Sequence, residues 1–393
     1  MILLSVSFFF IAIFPLHSFV VGFFISCIKS FFLKTIIVSV SNDLTTDQRV
    51  TKICNTLCAN NFKVILIGRK LKNSLPVFRE YKTERIRLLF NKGFLFYAEF
   101  NFRLFLKLLF TKKDLILSND LDTLLPNYLI SIIQSKKIIY DSHELFPEIP
   151  ELIDRPTVKG VWLNIERTII PNLKNCFTVC DSIANYYSKI YKIEFKTIKN
   201  LPVKKEVLLG KFSFSTKDKK VILYQGALNI GRGLELLIET VALLEKHILV
   251  IIGDGDISNN LKLLASNSKA NNRIFFLGRI APYELQKLTP LADIGISLEE
   301  DLGLNYRYAL PNKLFDYIQA EIPVLVSDLP EMKKIVTQFN IGEIVIDRSP
   351  KALAKKIEGF QLKKNSKELI KAKEVLNWNS QEDKLLSIFN NAV

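Results

Sequence analysis

Short apolar runs alternate with amphipathic stretches along most of this 393-residue chain. Residues 35–41 (TIIVSVS) and 63–68 (KVILIG) are runs of strand length. Between them, residues 45–60 place Val50, Ile53, Leu57 and Cys58 at helical spacing, with Thr45 as the expected cap. Predicted strands follow at 114–118, 137–140 and 176–179, with predicted helices near 121–134, 158–173 and 182–191. Asn200-Leu201-Pro202 interrupts the alternation, and a lysine-rich stretch runs on to Lys220. Strands are then predicted at 220–225, 248–252, 273–277, 293–298, 323–327 and 343–346, with helices between them. Apolar strands that alternate with helices form a parallel sheet covered on both faces. The expected architecture is α/β: two doubly wound Rossmann-like domains facing a central cleft, residues 35–200 and 201–380, with a last helix at 381–393 packing back on the first domain. Ligands of open α/β sheets bind beyond the carboxyl ends of the strands, which makes the cleft the expected site.

The first 28 residues contain no Asp, Glu, Lys or Arg. About 20 apolar residues span a bilayer as a helix, so the run is long enough, although Pro15 and His17 interrupt it. No cation precedes it, as one would in a secretory signal. Lys29 and Lys34 follow it, and the positive-inside bias would leave the downstream protein in the cytoplasm. Residues 1–34 are read either as a membrane anchor or as an upstream extension before a domain that begins cleanly at Thr35.

Charge sharpens this picture. Lys and Arg number 54 against 39 Asp and Glu, a net +15 that calls for an anionic partner. Residues 35–200 carry 25 basic and 16 acidic side chains, and residues 201–393 carry 27 and 23, so the excess lies mostly in the first domain. Residues 85–113 hold seven cations, seven phenylalanines and one anion, Glu99. Such a segment is either a helix lying in an anionic membrane interface or a core helix with a solvated basic face. No nucleic-acid-binding module accompanies the charge, so nucleic acid is not an expected partner. Five cysteines without a C-x-x-C pair, and three scattered histidines, read as reduced thiols rather than a zinc site.

Candidate chemistry gathers after the strands of the second half. Gly226-Ala-Leu-Asn-Ile-Gly231-Arg232-Gly233 lies between a strand and a helix, where glycines let backbone approach a phosphate and the helix N-terminus supplies N–H donors. Arg232 adds a planar cation suited to a diphosphate. Gly253-Asp254-Gly255-Asp256 ends the next strand, and Phe276-Leu277-Gly278-Arg279 the third. Glu299-Glu300-Asp301-Leu302-Gly303-Leu304 follows the fourth, and Pro311-Asn312-Lys313-Leu314-Phe315-Asp316 opens a helix with Lys313 and Asp316 on one face. Any one of these is explained as a turn or a surface charge. Their convergence on one sheet edge is not. In the first half, Asp120 and Asp122 follow a strand and read as helix caps, with acceptor contact as the other role for Asp120.

The order of these motifs resembles bacterial family 4 (group 1) glycosyltransferases of GT-B fold, over about residues 35–390. In the first half, Ser41–Val50, Ile67-Gly68-Arg69, Asn119-Asp120 and Tyr140-Asp141-Ser142-His143-Glu144 agree with it. The resemblance implies retaining transfer of a sugar from a nucleotide diphospho-sugar, without a metal or other cofactor. It implies diphosphate contacts from Gly226, Arg232, Gly233 and Lys313, a ribose contact from Asp316, catalytic roles for His143 and Glu300, and cleft positions for Asp120, Asp141, Gly253, Asp254, Gly255, Arg279 and Asn312. The implied acceptor is a glycan or lipid-linked molecule of cell-surface polysaccharide synthesis, at the cytoplasmic face of the inner membrane.

The chain departs from the family pattern in four places. Tyr308 stands eight residues before Asp316, where a glutamate is usual, and Glu300 lies sixteen before it, as an insertion at 305–312 would produce. Ala227 replaces a frequent arginine and Glu321 a usual glycine. These departures keep a degenerate scaffold for a membrane glycan assembly as an alternative. A nucleotide-sugar epimerase is the other, and it calls for more acid–base residues than one histidine and a few carboxylates.

Overall fold

The computed structural model describes residues 33–45, 47–149, 152 and 154–392. The uncharged run at 1–28 lies outside them. The first half runs β1 (Thr35–Asp43), α1 (Gln48–Ala59), β2 (Lys63–Lys70), β3 (Lys82–Arg87), α2 (Gly93–Phe110), β4 (Leu115–Asn119), α3 (Leu121–Ile133), β5 (Lys137–Ser142), α4 (Pro156–Ile169), β6 (Asn175–Thr178), α5 (Asp181–Tyr191) and β7 (Phe195–Thr197). Its strands form a seven-stranded sheet in the order β3-β2-β1-β4-β5-β6-β7.

The second half runs β8 (Lys220–Gln225), α6 (Leu234–Val241), β9 (His247–Ile252), α7 (Ser258–Ser266), β10 (Ile274–Gly278), α8 (Pro282–Leu288), β11 (Ile294–Ser297), α9 (Leu304–Arg307), α10 (Asn312–Gln319), β12 (Val324–Ser327), α11 (Pro330–Phe339), β13 (Gly342–Val345), α12 (Pro350–Glu358), α13 (Lys367–Val375) and α14 (Asn379–Ala392). Its sheet has six strands, β10-β9-β8-β11-β12-β13. Both sheets are parallel and carry the strand order of the doubly wound fold, with a switch point between β1 and β4 and another between β8 and β11.

Alternation along β8 explains why its sheet is covered twice. Ile222 and Tyr224 pack into a core with Leu237, Ile238, Leu261 and Leu353. Val221 and Leu223 point the other way, into a core with Leu314, Ile318, Met332 and Leu369. By packing, the described residues divide into two compact units. The smaller holds those up to Ser118 together with Pro126–Ile138 and Ala392, and the larger holds Asn119–Leu125 and Ile139–Asn391. Every candidate site residue lies in the larger.

The predicted strands and helices are present within a few residues. The exceptions have local causes. α1 starts at Gln48, not at residue 45, because Asp47 rather than Thr45 caps it, accepting from Val50 N at 3.0 Å. β3 buries only Ile86 and carries charges at most other positions, as an edge strand does, so no apolar run announces it. β7 has three residues. The basic, phenylalanine-rich stretch is therefore strand, turn and then helix. Among the described residues, no helix is long and apolar enough to cross a membrane.

Within α2, Phe96, Phe100, Leu104 and Leu108 repeat every fourth residue and pack on Ile37, Ile67 and Ile116 of the sheet. Phe102 points away and is 63% exposed. Phe100→Ala should therefore cost about 3–5 kcal/mol in urea unfolding. Phe102→Ala should change stability by less than about 0.5 kcal/mol. Equal losses would contradict this orientation of the helix.

Candidate active site

The carboxyl ends of adjacent strands in the second sheet bring the glycine turns into contact. Gly226 N donates to Ile252 O at 2.9 Å, and Gly253 N to Gly278 O at 2.8 Å. Gly253 has φ +144°, and a Cβ there would lie 1.8 Å from Gly226 O, so no side chain fits between these turns. Gly233, at φ +70°, opens α6, and a Cβ on it would meet Leu298 O at 2.4 Å. Gly255 N is held by Ser258 Oγ at 2.8 Å and by Asp254 Oδ1 at 2.9 Å. The bonds that Ser258 Oγ and Gly255 N donate to Asp254, together with Arg279, hold its carboxyl below the usual carboxylate range. Arg279 itself is 81% exposed and reaches Asp254 only at 3.8 Å.

Glu299 lies at the centre of the arrangement. It is fully buried. Lys313 Nζ donates to its Oε1 at 2.8 Å, Ser297 Oγ to its Oε2 at 2.7 Å, and Arg232 Nη1 approaches Oε1 at 3.5 Å. Burial pushes the carboxyl up, but Lys313, Ser297 and Arg232 outweigh it and hold Glu299 below its ordinary range. Lys313 also sits 4.0 Å from the Tyr224 ring and Arg232 5.0 Å from the Tyr306 ring. Arg232 Nε is buried without a hydrogen-bond partner among the described residues. Arg348 donates to Ser327 Oγ at 2.7 Å and to Leu298 O at 3.1 Å, which fixes the strand ends around Glu299.

Glu300, the residue singled out in the sequence, is half-buried and pairs with Arg348 at 3.5 Å. Its neighbour Glu299 meets both cations. Asp316 accepts from Gln225 Nε2 at 3.0 Å, one residue before Gly226, which keeps it beside the glycine turn. Asn312 accepts from Asn200 Nδ2 at 2.9 Å.

Asp120, Asp141 and His143 form a second cluster. His143 Nδ1 lies 3.0 Å from Asp120 Oδ2, and Nε2 lies 3.1 Å from Asp141 Oδ2. His143 N also donates to Asp120 Oδ1 at 2.8 Å. The Asp120 carboxylate is thus turned to His143 rather than serving as the expected helix cap. Its backbone takes φ +58°, a conformation Asp tolerates better than most residues, while its N donates to Asp141 O at 2.8 Å. Burial works against charge on the imidazole, but the two carboxylates more than offset this and hold its pKa well above the ordinary value. An imidazolium with both N–H groups committed is a cation that fixes a turn, not a free base.

The segment expected as an insertion joins the two clusters. Asn305 Oδ1 accepts from Leu145 N at 3.1 Å, and its Nδ2 donates to Glu144 Oε2 at 3.1 Å. The next residue, Tyr306, lies against Arg232 and donates from its hydroxyl to Ile230 O at 2.9 Å. Tyr308 ends α9, and its carbonyl accepts from Cys180 Sγ at 3.4 Å. Asn305, Tyr306, Glu299 and Arg348 were not singled out from the sequence. Only the E-E doublet and the insertion itself marked the place. Glu321 adopts φ +57°, a left-handed conformation that glycine takes more readily, and its carboxylate pairs with Lys373 at 2.7 Å. Among the described residues, no three His, Cys, Asp or Glu side chains are grouped to hold a metal ion.

Three measurements check this geometry. Lys313→Met leaves Glu299 buried and short of its main partner, so unfolding stability should fall by about 3–5 kcal/mol. Adding Glu299→Gln should recover much of that loss, and a single variant as stable as the parent would contradict the pairing. For His143, a pKa raised on folding makes its contribution complete below the unfolded value of about 6.5 and lost as pH rises through the folded value. The melting-temperature gap between parent and His143→Gln should therefore be widest in mild acid and shrink in alkali. Nitrogen NMR should show both ring nitrogens protonated at neutral pH.

Residues 210–382 match the family model for glycosyl transferases group 1. No curated protein matches the chain in sequence. Among solved structures, the chain is similar to sucrose-phosphate synthase from Thermosynechococcus elongatus at 15% identity and a TM-score of 0.75, over 91% of this chain and 98% of that one. A glycosyltransferase from Rickettsia africae ESF-5 gives 15% identity and a TM-score of 0.69, over 92% and 99%. Anabaena HepE, in complex with UDP-glucose, gives 13% and 0.67, over 91% and 100%. Likeness at these identities is one of fold, and that fold is GT-B. The matched segment contains Arg232, Glu299, Lys313 and Asp316.

Proposed function

We propose that the chain moves a sugar from a nucleotide diphospho-sugar to a glycan or lipid-linked acceptor with retention of anomeric configuration, without a metal, in cell-surface polysaccharide synthesis at the cytoplasmic face of the inner membrane. The observation that carries this reading is the convergence of Arg232 and Lys313 beside the Gly226 and Gly253 turns, where backbone is bare and the Arg232 Nε is unsatisfied. The Anabaena neighbour holds UDP-glucose, which supports a nucleotide sugar as the donor class.

When the anomeric C–O bond breaks, its electron pair leaves with the diphosphate. The two cations and the N–H groups opening α6 stand where that charge grows. The acceptor hydroxyl attacks on the face the diphosphate leaves and passes its proton to a departing phosphate oxygen, so no protein nucleophile is needed. Asp316 accepts from the ribose hydroxyls. Two fixed cations supply the neutralisation that a divalent ion would otherwise provide. His143 acts as a positioning residue, since its ring donates to Asp120 and Asp141, and this also removes the free acid–base pair that an epimerase calls for.

Incubation with UDP-, GDP- and ADP-sugars in the presence of a chelator should release nucleoside diphosphate from one of the three. Arg232→Ala should slow that release by at least about a hundredfold. Unchanged release in the variant overturns the site. A thermal-shift series with UDP, GDP and ADP should identify the base by the nucleotide that stabilises the fold.

A further inference from the structure

α2 is apolar on two opposite faces, and only one is used by the core. Opposite the Phe96–Leu108 stripe lie Leu95, Phe102, Leu106 and Phe110, all exposed. Ile132 and Ile133 at the end of α3 are exposed as well. The two helix ends are locked together: Gln134 Nε2 donates to Leu109 O at 2.8 Å, and the buried Lys113 Nζ donates to Thr111 O at 2.9 Å and Gln134 Oε1 at 2.6 Å. These six side chains therefore belong to one rigid region. Exposed apolar patches of this kind mark a surface that meets something.

Charge identifies the partner. Lys92 precedes α2, and Lys112, Lys136 and Lys137 follow the two helix ends. The carboxylate on the exposed face, Glu99, is already engaged by Leu89 N, Phe90 N and Arg103 Nε. A second copy of the chain would bring the same cations against these. An anionic bilayer accepts both the phenylalanine and leucine side chains and the lysines. The inner stripe of α2 is committed to the sheet, so the helix can lie on a membrane but not enter one as a span. Thr35 N donates to Asp114 Oδ2 at 2.8 Å, four residues beyond the end of α2.

We propose that the outer face of α2 and the end of α3 dock the chain on an anionic lipid surface. This does not depend on the reaction assigned above. The test uses the full chain with Phe102→Trp, because the native Trp162 and Trp378 are buried. Vesicles of phosphatidylcholine with about one-third phosphatidylglycerol, with plain or brominated acyl chains, are added. Bromine should quench the introduced tryptophan by about half, as insertion at the acyl boundary requires, and leave a Leu263→Trp control on α7 unquenched. Equal signals at the two sites, or no quenching, overturn the proposal. So does an emission spectrum of the Phe102→Trp variant already shifted to the blue without lipid, which means that another part of the chain or a second copy covers the face. Adding Lys92→Glu, Lys112→Glu and Lys137→Glu to that variant should abolish the dependence of quenching on phosphatidylglycerol content. A dependence that persists with all three charges reversed overturns the assignment of an anionic surface.

Discussion

Glu299 has no exposed surface and is nevertheless ionised, because Lys313, Ser297 and Arg232 all face its carboxylate. This interaction organises the second half of the molecule. It draws a loop after β8, a loop after β11 and the first turn of α10 to one point. A buried ion pair seldom stabilises a fold better than well-packed apolar groups would. Its value here is positional: two cations are held in a fixed place before any ligand arrives. A preorganised charge costs little reorganisation at the moment of reaction. Arg348 extends the same logic to the backbone by holding the carbonyls of Leu298 and Glu299.

The fold was legible because burial on both faces of a parallel sheet leaves a strong mark. TIIVSVS and KVILIG flank α1, and KVILYQ leads into α6, so apolar runs alternate with helices. β3 was not legible because it lies at an edge, where lysine and arginine replace the apolar run. β7 was not because three residues carry no period. The cap of α1 illustrates a finer limit. Thr45, Thr46 and Asp47 are all capping residues, and only the path of the chain selects among them.

The site was legible in its glycines and cations and less so in its carboxylates. Gly233 and Gly253 are required by backbone contacts that no Cβ survives, so their type and spacing are informative. In the doublet Glu299-Glu300, sequence offers no way to decide which residue faces inward. Structure does: β11 ends at Ser297, Glu299 continues inward toward Lys313, and Glu300 turns out to Arg348. His143 poses the converse problem. Its spacing in D-S-H-E marks the place, but its chemical state depends on Asp120, a residue 23 positions away whose left-handed backbone aims the carboxylate at the ring.

The two clusters are electrostatic opposites: an anion held by cations at Glu299, and a cation held by anions at His143. By formal charge the first, Glu299 with Lys313 and Arg232, leaves one positive charge over, and the second, His143 with Asp120 and Asp141, one negative charge. Uncharged donors and acceptors on consecutive residues, Asn305 and Tyr306, bond to the loops that carry them. The segment at 305–312 therefore carries side-chain contacts of its own. The four residues of α9 belong to neither core of the second sheet, and they are retained in a region where Gly231 and Gly303 both take positive φ. Asn305 contacts the loop that bears His143, and Tyr306 the loop that bears Arg232. One short helical turn can thus link two loops, provided its polar side chains meet partners on both sides.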